Sequence, residues 1–114
     1  MLSFIRAWSG WTTPQNAPVY EELLTGAVAP GIMAREIPGL RELVVLRRVP
    51  NEAEAHFMTL MSFDDWRAVE RFAGPDPTAS YVPPAARAVL AHYDEHAQHF
   101  ELRGRYTRGR VTRA

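Results

Sequence analysis

Residues 57–76 read FMTLMSFDDWRAVERFAGPD, and the division of this stretch decides the fold. Its first seven residues suit an extended chain. Phe57, Thr59, Met61 and Phe63 fall on one face, and Met58, Leu60 and Ser62, with His56 before them, fall on the other. Two acids follow. Asp64 or Asp65 can cap a helix whose apolar positions are Trp66, Val69, Phe72 and Ala73, and Gly74 stops it. A strand that runs directly into a capped helix is the unit from which the rest is read.

Upstream, LRELVVLRRV (40–49) reads as a strand with apolar residues on both faces, and PNEAE (50–54) as the loop joining it to the next. IPG (37–39) is a turn. Before it, Tyr20, Leu23, Leu24, Ala27 and Val28 recur at helical spacing, until Pro30-Gly31 interrupts and a shorter piece continues to Arg35 or Glu36. Near the N-terminus, LSFIRAWSG alternates, with Phe4, Arg6 and Trp8 on one side and Ile5, Ala7 and Ser9 on the other.

Downstream, PDPTASYVPP (75–84) is an irregular loop, AARAVLAHY (85–93) a short helix, and HAQHFELRG (96–104) a last strand. The order β, α, β, β, α, short α, β predicts an α+β, ferredoxin-like split βαβ fold with a four-stranded antiparallel sheet over residues 1–102. Residues 103–114 form an arginine-rich tail with five arginines and no acid, read as a solvated terminus or a basic arm.

Composition excludes several classes. The 114 residues suit one domain, and 46 % hydrophobic residues suit a packed core. Without cysteine there are no disulfides, thiolate nucleophiles or Cys-held metals. All thirteen basic residues are arginine, so no lysine can form a Schiff base. Zero net charge gives no steering toward nucleic acid, and no apolar run reaches the ~18 residues of a membrane span. MLSFIRAWSG lacks the basic-then-apolar order of a signal peptide, so a cytoplasmic location is expected.

HYDEHAQHF (92–100) holds three of the four histidines and matches the H-x-x-E-H pattern of zinc peptidases. The pattern needs one helix through His92, His96 and His99. DE (94–95) can end the helix before HAQHFELRG, and then the three do not share a face; the match is also weak without a third ligand and a pocket, so no metal site is expected.

Four pieces, IRAWSGWTTPQNAPVYEELL, PGIMAREIPGLRELVVLRR, FMTLMSFDDWRAVERFAGPD and YVPPAARAVL followed by HFEL, occur in an order and spacing that resemble the antibiotic biosynthesis monooxygenase superfamily. The resemblance spans about residues 3–102. It departs at Phe63, where relatives often carry tryptophan, and at Pro84, Ala85 and Ala86, where acids often follow. It implies a dimeric α+β barrel: helices cover one sheet face and a second subunit covers the other. The two-faced apolar strands agree, so a homodimer is expected.

The resemblance also implies chemistry without a cofactor, in which a small aromatic substrate of the anthrone or quinol type supplies its own electrons to oxygen. The expected catalytic residues are His99 as base or hydrogen-bond partner, Arg6 holding an anionic oxygen, and Tyr81 donating from the loop. Trp8, Met61, Phe63, Trp66 and Phe72 are expected to line the substrate pocket. The alternative is a non-catalytic dimeric barrel that binds a small aromatic or hydrophobic ligand. Haem-degrading relatives use an asparagine on the first strand and a histidine after the second helix, and this chain has neither.

Overall fold

A computed structural model describes residues 3–49 and 53–112. The central strand is β1 (Phe4–Thr12), which pairs antiparallel with β3 (Ala55–Phe63) along its whole length, Phe4 opposite Phe63 and Thr12 opposite Ala55. β2 (Leu40–Arg47) flanks β3, with an irregularity between Leu40 and Glu42. The loop expected over PNEAE lies partly outside the described residues.

The other flank of β1 is shared. β4 (His92–Tyr93) pairs with Gly10 and Trp11, and β5 (Gln98–Glu101) pairs with Phe4 to Ala7. The sheet order is therefore β2-β3-β1-β4, with β5 also on β1. This α+β antiparallel arrangement is the expected ferredoxin-like fold, with the fourth strand position divided in two.

Pairing register assigns the faces. Arg6 and Trp8 stand opposite Met61 and Thr59, and Leu43 and Val45 stand opposite the same two residues from β2. These residues share the helix-covered face. The first helical segment is α1 (Ala17–Leu23), then a π-helical turn (Leu24–Val28), then α2 (Ala29–Ala34). Pro30 accounts for the wide turn: its ring clashes with the carbonyl four residues back and it has no N–H to give. The turn resolves this by a wider bond from Ala29 N to Leu24 O. The helix thus passes through Pro30-Gly31, where the sequence suggests an interruption.

The second helix, α3 (Trp66–Ala73), begins at Asp65, whose carboxylate accepts from Ala68 N at 2.9 Å, and ends at Gly74 with φ +83°. Asp64 pairs with Arg41 instead, fastening β2 to the helix entry. Gly39 is required in the turn before β2: its φ is +90°, and a Cβ there would lie 2.7 Å from the Cβ of Ala68.

One expectation is corrected. The short helix is only α4 (Pro84–Arg87), and His92–Tyr93 is strand rather than helix. Within the arginine-rich tail, residues 105–112 form a hairpin of β6 (Arg105–Thr107) and β7 (Arg110–Thr112).

The second sheet face carries Ile5, Ala7, Val44, Leu46, Met58, Leu60 and Phe100 by the same register. Leu46 is 44 % and Phe100 52 % exposed. No helix of the described residues is long and apolar enough to cross a membrane.

Candidate functional site

Between the sheet and its helices lies a small, largely apolar pocket open to solvent. Its floor is Arg6 and Trp8 from β1, Leu43 from β2, and Thr59 and Met61 from β3. The helical wall is Tyr20, the π-turn residues Leu24 and Val28, then Ala29 and Ile32. The π turn therefore belongs to the pocket, a placement common for such turns. Phe72, Tyr81, Val82, Pro83 and Ala86 close the third side.

Arg6 is the charged group of this apolar space. The residue is 3 % exposed, an unusual position for a guanidinium. Its three bonded contacts are Pro77 O at 2.5 Å, Ala79 O at 2.6 Å and His99 Nε2 at 3.1 Å. Arg6 thus clamps the loop after α3 over the pocket. Burial lowers its pKa to about 10, opposed by the field of Asp76, so it remains a cation at neutral pH. Asp76 is itself exposed; hydrogen bonds from Thr78 hold its carboxyl below the usual carboxylate range.

His99 stands directly opposite Arg6 in the β1–β5 register. Guanidinium nitrogens only donate, so Nε2 accepts and the imidazole is neutral with its proton on Nδ1. Desolvation, and then the charge of Arg6, lower its pKa below the ordinary value. The pocket lining does not include His99, which rests edge-on against Trp66 with ring centres 5.0 Å apart. The residue expected on the pocket wall stands behind it.

Trp8 lies in the pocket floor, and its N–H is committed to Ser80 Oγ at 3.0 Å and Asp94 O at 2.8 Å. Met61 and Phe72 also line the pocket, and half-exposed Tyr81 stands at its edge against Phe72. Phe63 and Trp66 are not among the lining residues. Phe63 packs in the core beside Phe72, and Trp66 packs on Phe4. Tyr20 was not singled out from the sequence, where it reads as one member of an apolar stripe. It is 2 % exposed, stacks edge-on with Phe57, and burial raises its pKa to about 12, so it is a neutral hydroxyl.

The remaining histidines lie elsewhere. His56 and His92 each stack on Trp11 with ring centres 4.6 Å apart. His56 Nε2 bonds Ser9 Oγ at 2.9 Å and His92 Nε2 meets Glu54 at 2.8 Å. His96 is exposed in the bridge to Ala79. The H-x-x-E-H residues do not form one helical face.

No family model and no curated protein matches the sequence. Solved structures do match in shape. A Bacillus cereus protein provisionally named an antibiotic biosynthesis monooxygenase superposes with TM-score 0.67 at 13 % identity, over 94 % of this chain and 99 % of its own. A Mesorhizobium loti protein of the DABB family, described as having a ferredoxin-like fold, gives 0.52 at 17 %, over 87 % and 94 %. A variant of SnoaB, a cofactor-independent oxygenase from Streptomyces nogalater, gives 0.50 at 18 %, over 93 % and 94 %. At these identities the likeness establishes the fold.

Proposed function

We propose that the chain is a cofactor-independent monooxygenase for a small electron-rich aromatic, of the anthrone or quinol type. The observation that carries this is a buried, charged Arg6 facing an apolar pocket between sheet and helices. Shared shape with a cofactor-independent oxygenase and with a provisionally named monooxygenase supports the reading.

Such substrates react with oxygen once ionised. An apolar cavity alone disfavours that charge; a desolvated guanidinium favours it, because a cation acts strongly where water is excluded. Arg6 stabilises the substrate oxyanion, and the departing proton leaves to solvent at the pocket mouth beside Tyr81. The ionised ring gives electrons to oxygen and a C–O bond forms. The resulting peroxide anion takes a proton back from solvent, and loss of water then leaves the new carbonyl: one oxygen atom enters the product and the other leaves as water. Tyr81 and Tyr20 supply hydroxyls for the oxygen atoms. His99 is a positioning residue here, since its Nε2 lone pair is occupied by Arg6.

The open sheet face takes a second copy of this chain, which completes a barrel and covers Leu46, Leu60 and Phe100. The test of activity is oxygen uptake on a panel of anthrones and quinols, without added flavin, metal or haem. Uptake above the autoxidation rate supports the proposal. Background rates throughout, with ligand binding retained, make the chain a binding barrel instead.

A further inference from the structure

Tyr20 carries a polar group that the fold does not use. The residue is 2 % exposed, and its ring rests edge-on against Phe57 with centres 5.1 Å apart. Its hydroxyl has no hydrogen-bond partner among the described residues, and burial alone accounts for its raised pKa of about 12. No wholly enclosed side-chain oxygen or nitrogen of those residues lacks a partner. The unpaired hydroxyl is therefore not sealed in; it reaches open space, and the space Tyr20 lines is the pocket. A desolvated hydroxyl without a partner costs stability. A phenylalanine would keep the ring contact without that cost.

The other buried polar groups of the pocket are engaged. Arg6 is held by Pro77 O, Ala79 O and His99, and the Trp8 N–H by Ser80 and Asp94. Tyr20 also stands apart from Arg6. Arg6 is opposite Met61 and lies over Phe72, whereas Phe57, on which Tyr20 rests, is opposite Gly10, four residues further along β1. Four residues of strand span about 13 Å. The pocket thus has a cation toward one end and a free neutral donor toward the other.

We infer that Tyr20 is a specificity-determining residue: its hydroxyl donates to a neutral oxygen of the ligand, such as a ketone, at the end of the pocket away from Arg6, and so selects against hydrocarbons of the same shape. This rests on the pocket being the reaction site, and deepens that reading by naming the group that orients the ligand. The bond satisfies a donor that the free protein leaves unmet, so its gain appears only on binding.

The test is a matched pair, 1-tetralone and tetralin, which have nearly the same shape and differ by one acceptor oxygen. Affinities are measured by amide NMR titration on the wild-type chain and on Tyr20→Phe, and the unfolding temperature of both ligand-free chains is recorded. Wild type should bind the ketone about three- to tenfold more tightly than the hydrocarbon, as for one net hydrogen bond. In Tyr20→Phe the ketone should weaken to the hydrocarbon's affinity, the hydrocarbon should be unchanged, and the unfolding temperature should stay level or rise. Equal affinities in wild type, or binding of neither ligand, would overturn the inference. So would a gap that persists in Tyr20→Phe, which assigns it to Arg6, Thr59 or Tyr81. A lowered unfolding temperature would overturn it too, since the hydroxyl would then be bonded within the fold. Oxygen uptake without this selection removes only the role of Tyr20. Selection without oxygen uptake removes only the oxygenase reading.

Discussion

Arg6 and His99 face each other across the β1–β5 pair, guanidinium to imidazole at 3.1 Å, with the imidazole as acceptor. This contact ties the floor of the pocket to the last strand of the sheet. It also fixes a protonation state, because a protonated His99 would point a proton at a cation.

A pH dependence of stability follows. In the native chain desolvation and Arg6 hold the pKa of His99 below its ordinary value of 6.5. As pH falls through that ordinary value the unfolded chain takes up a proton that the native chain refuses. Stability is thus full above the unfolded pKa and is lost as pH falls toward the depressed native one. Thermal unfolding followed against pH should show this slope, and His99→Gln should flatten it. An unchanged slope in the variant would assign the pH dependence to other groups.

Arg6→Lys tests the clamp. A lysine keeps the charge but lacks the planar fork that reaches Pro77 O, Ala79 O and His99 together. Amide exchange in residues 75–83 should accelerate, and turnover should fall by about 10²-fold, as on losing one preorganised charge partner. Full activity with a loosened loop would separate the clamp from catalysis.

The open sheet face gives a prediction about assembly. Leu60 points away from the helices, so Leu60→Asp should leave the pocket side intact and place a charge in the proposed interface. Light scattering should give twice the 12.9 kDa chain mass for the wild type and a single chain mass for the variant. A wild-type monomer, or a dimeric variant, would show that another surface or none is used.

What the sequence made legible was what strand and helix periods encode locally. The alternation of Phe4, Arg6 and Trp8 against Ile5, Ala7 and Ser9 matches the observed faces of β1, and the Asp65 cap and Gly74 stop are where the residue types require them. The end of the chain was less legible. AARAVLAHY has the composition of a helix, yet His92 and Tyr93 become strand because the edge of β1 beside Gly10 and Trp11 offers backbone partners. Site residues divide in the same way. Arg6, Trp8, Met61, Phe72 and Tyr81 reach the pocket, whereas Phe63 and Trp66 are used for packing. His99 shares the helix-covered face with Arg6, but strand parity alone shows neither this pairing nor that His99 lies outside the pocket lining. Tyr20 was hidden because a tyrosine at helical spacing looks like any other core residue.

If oxygenation occurs in the space above Arg6, a bulky side chain that fills this space must abolish it. Thr59 lies on the pocket floor opposite Trp8 and Val45, in a strand that accepts aromatic residues. Oxygen uptake on an anthrone substrate is measured for wild type and for Thr59→Trp, with circular dichroism and light scattering confirming equal fold and assembly. Wild-type uptake should exceed autoxidation, and the folded variant should fall to the background rate. A folded Thr59→Trp chain that keeps the wild-type rate would contradict it.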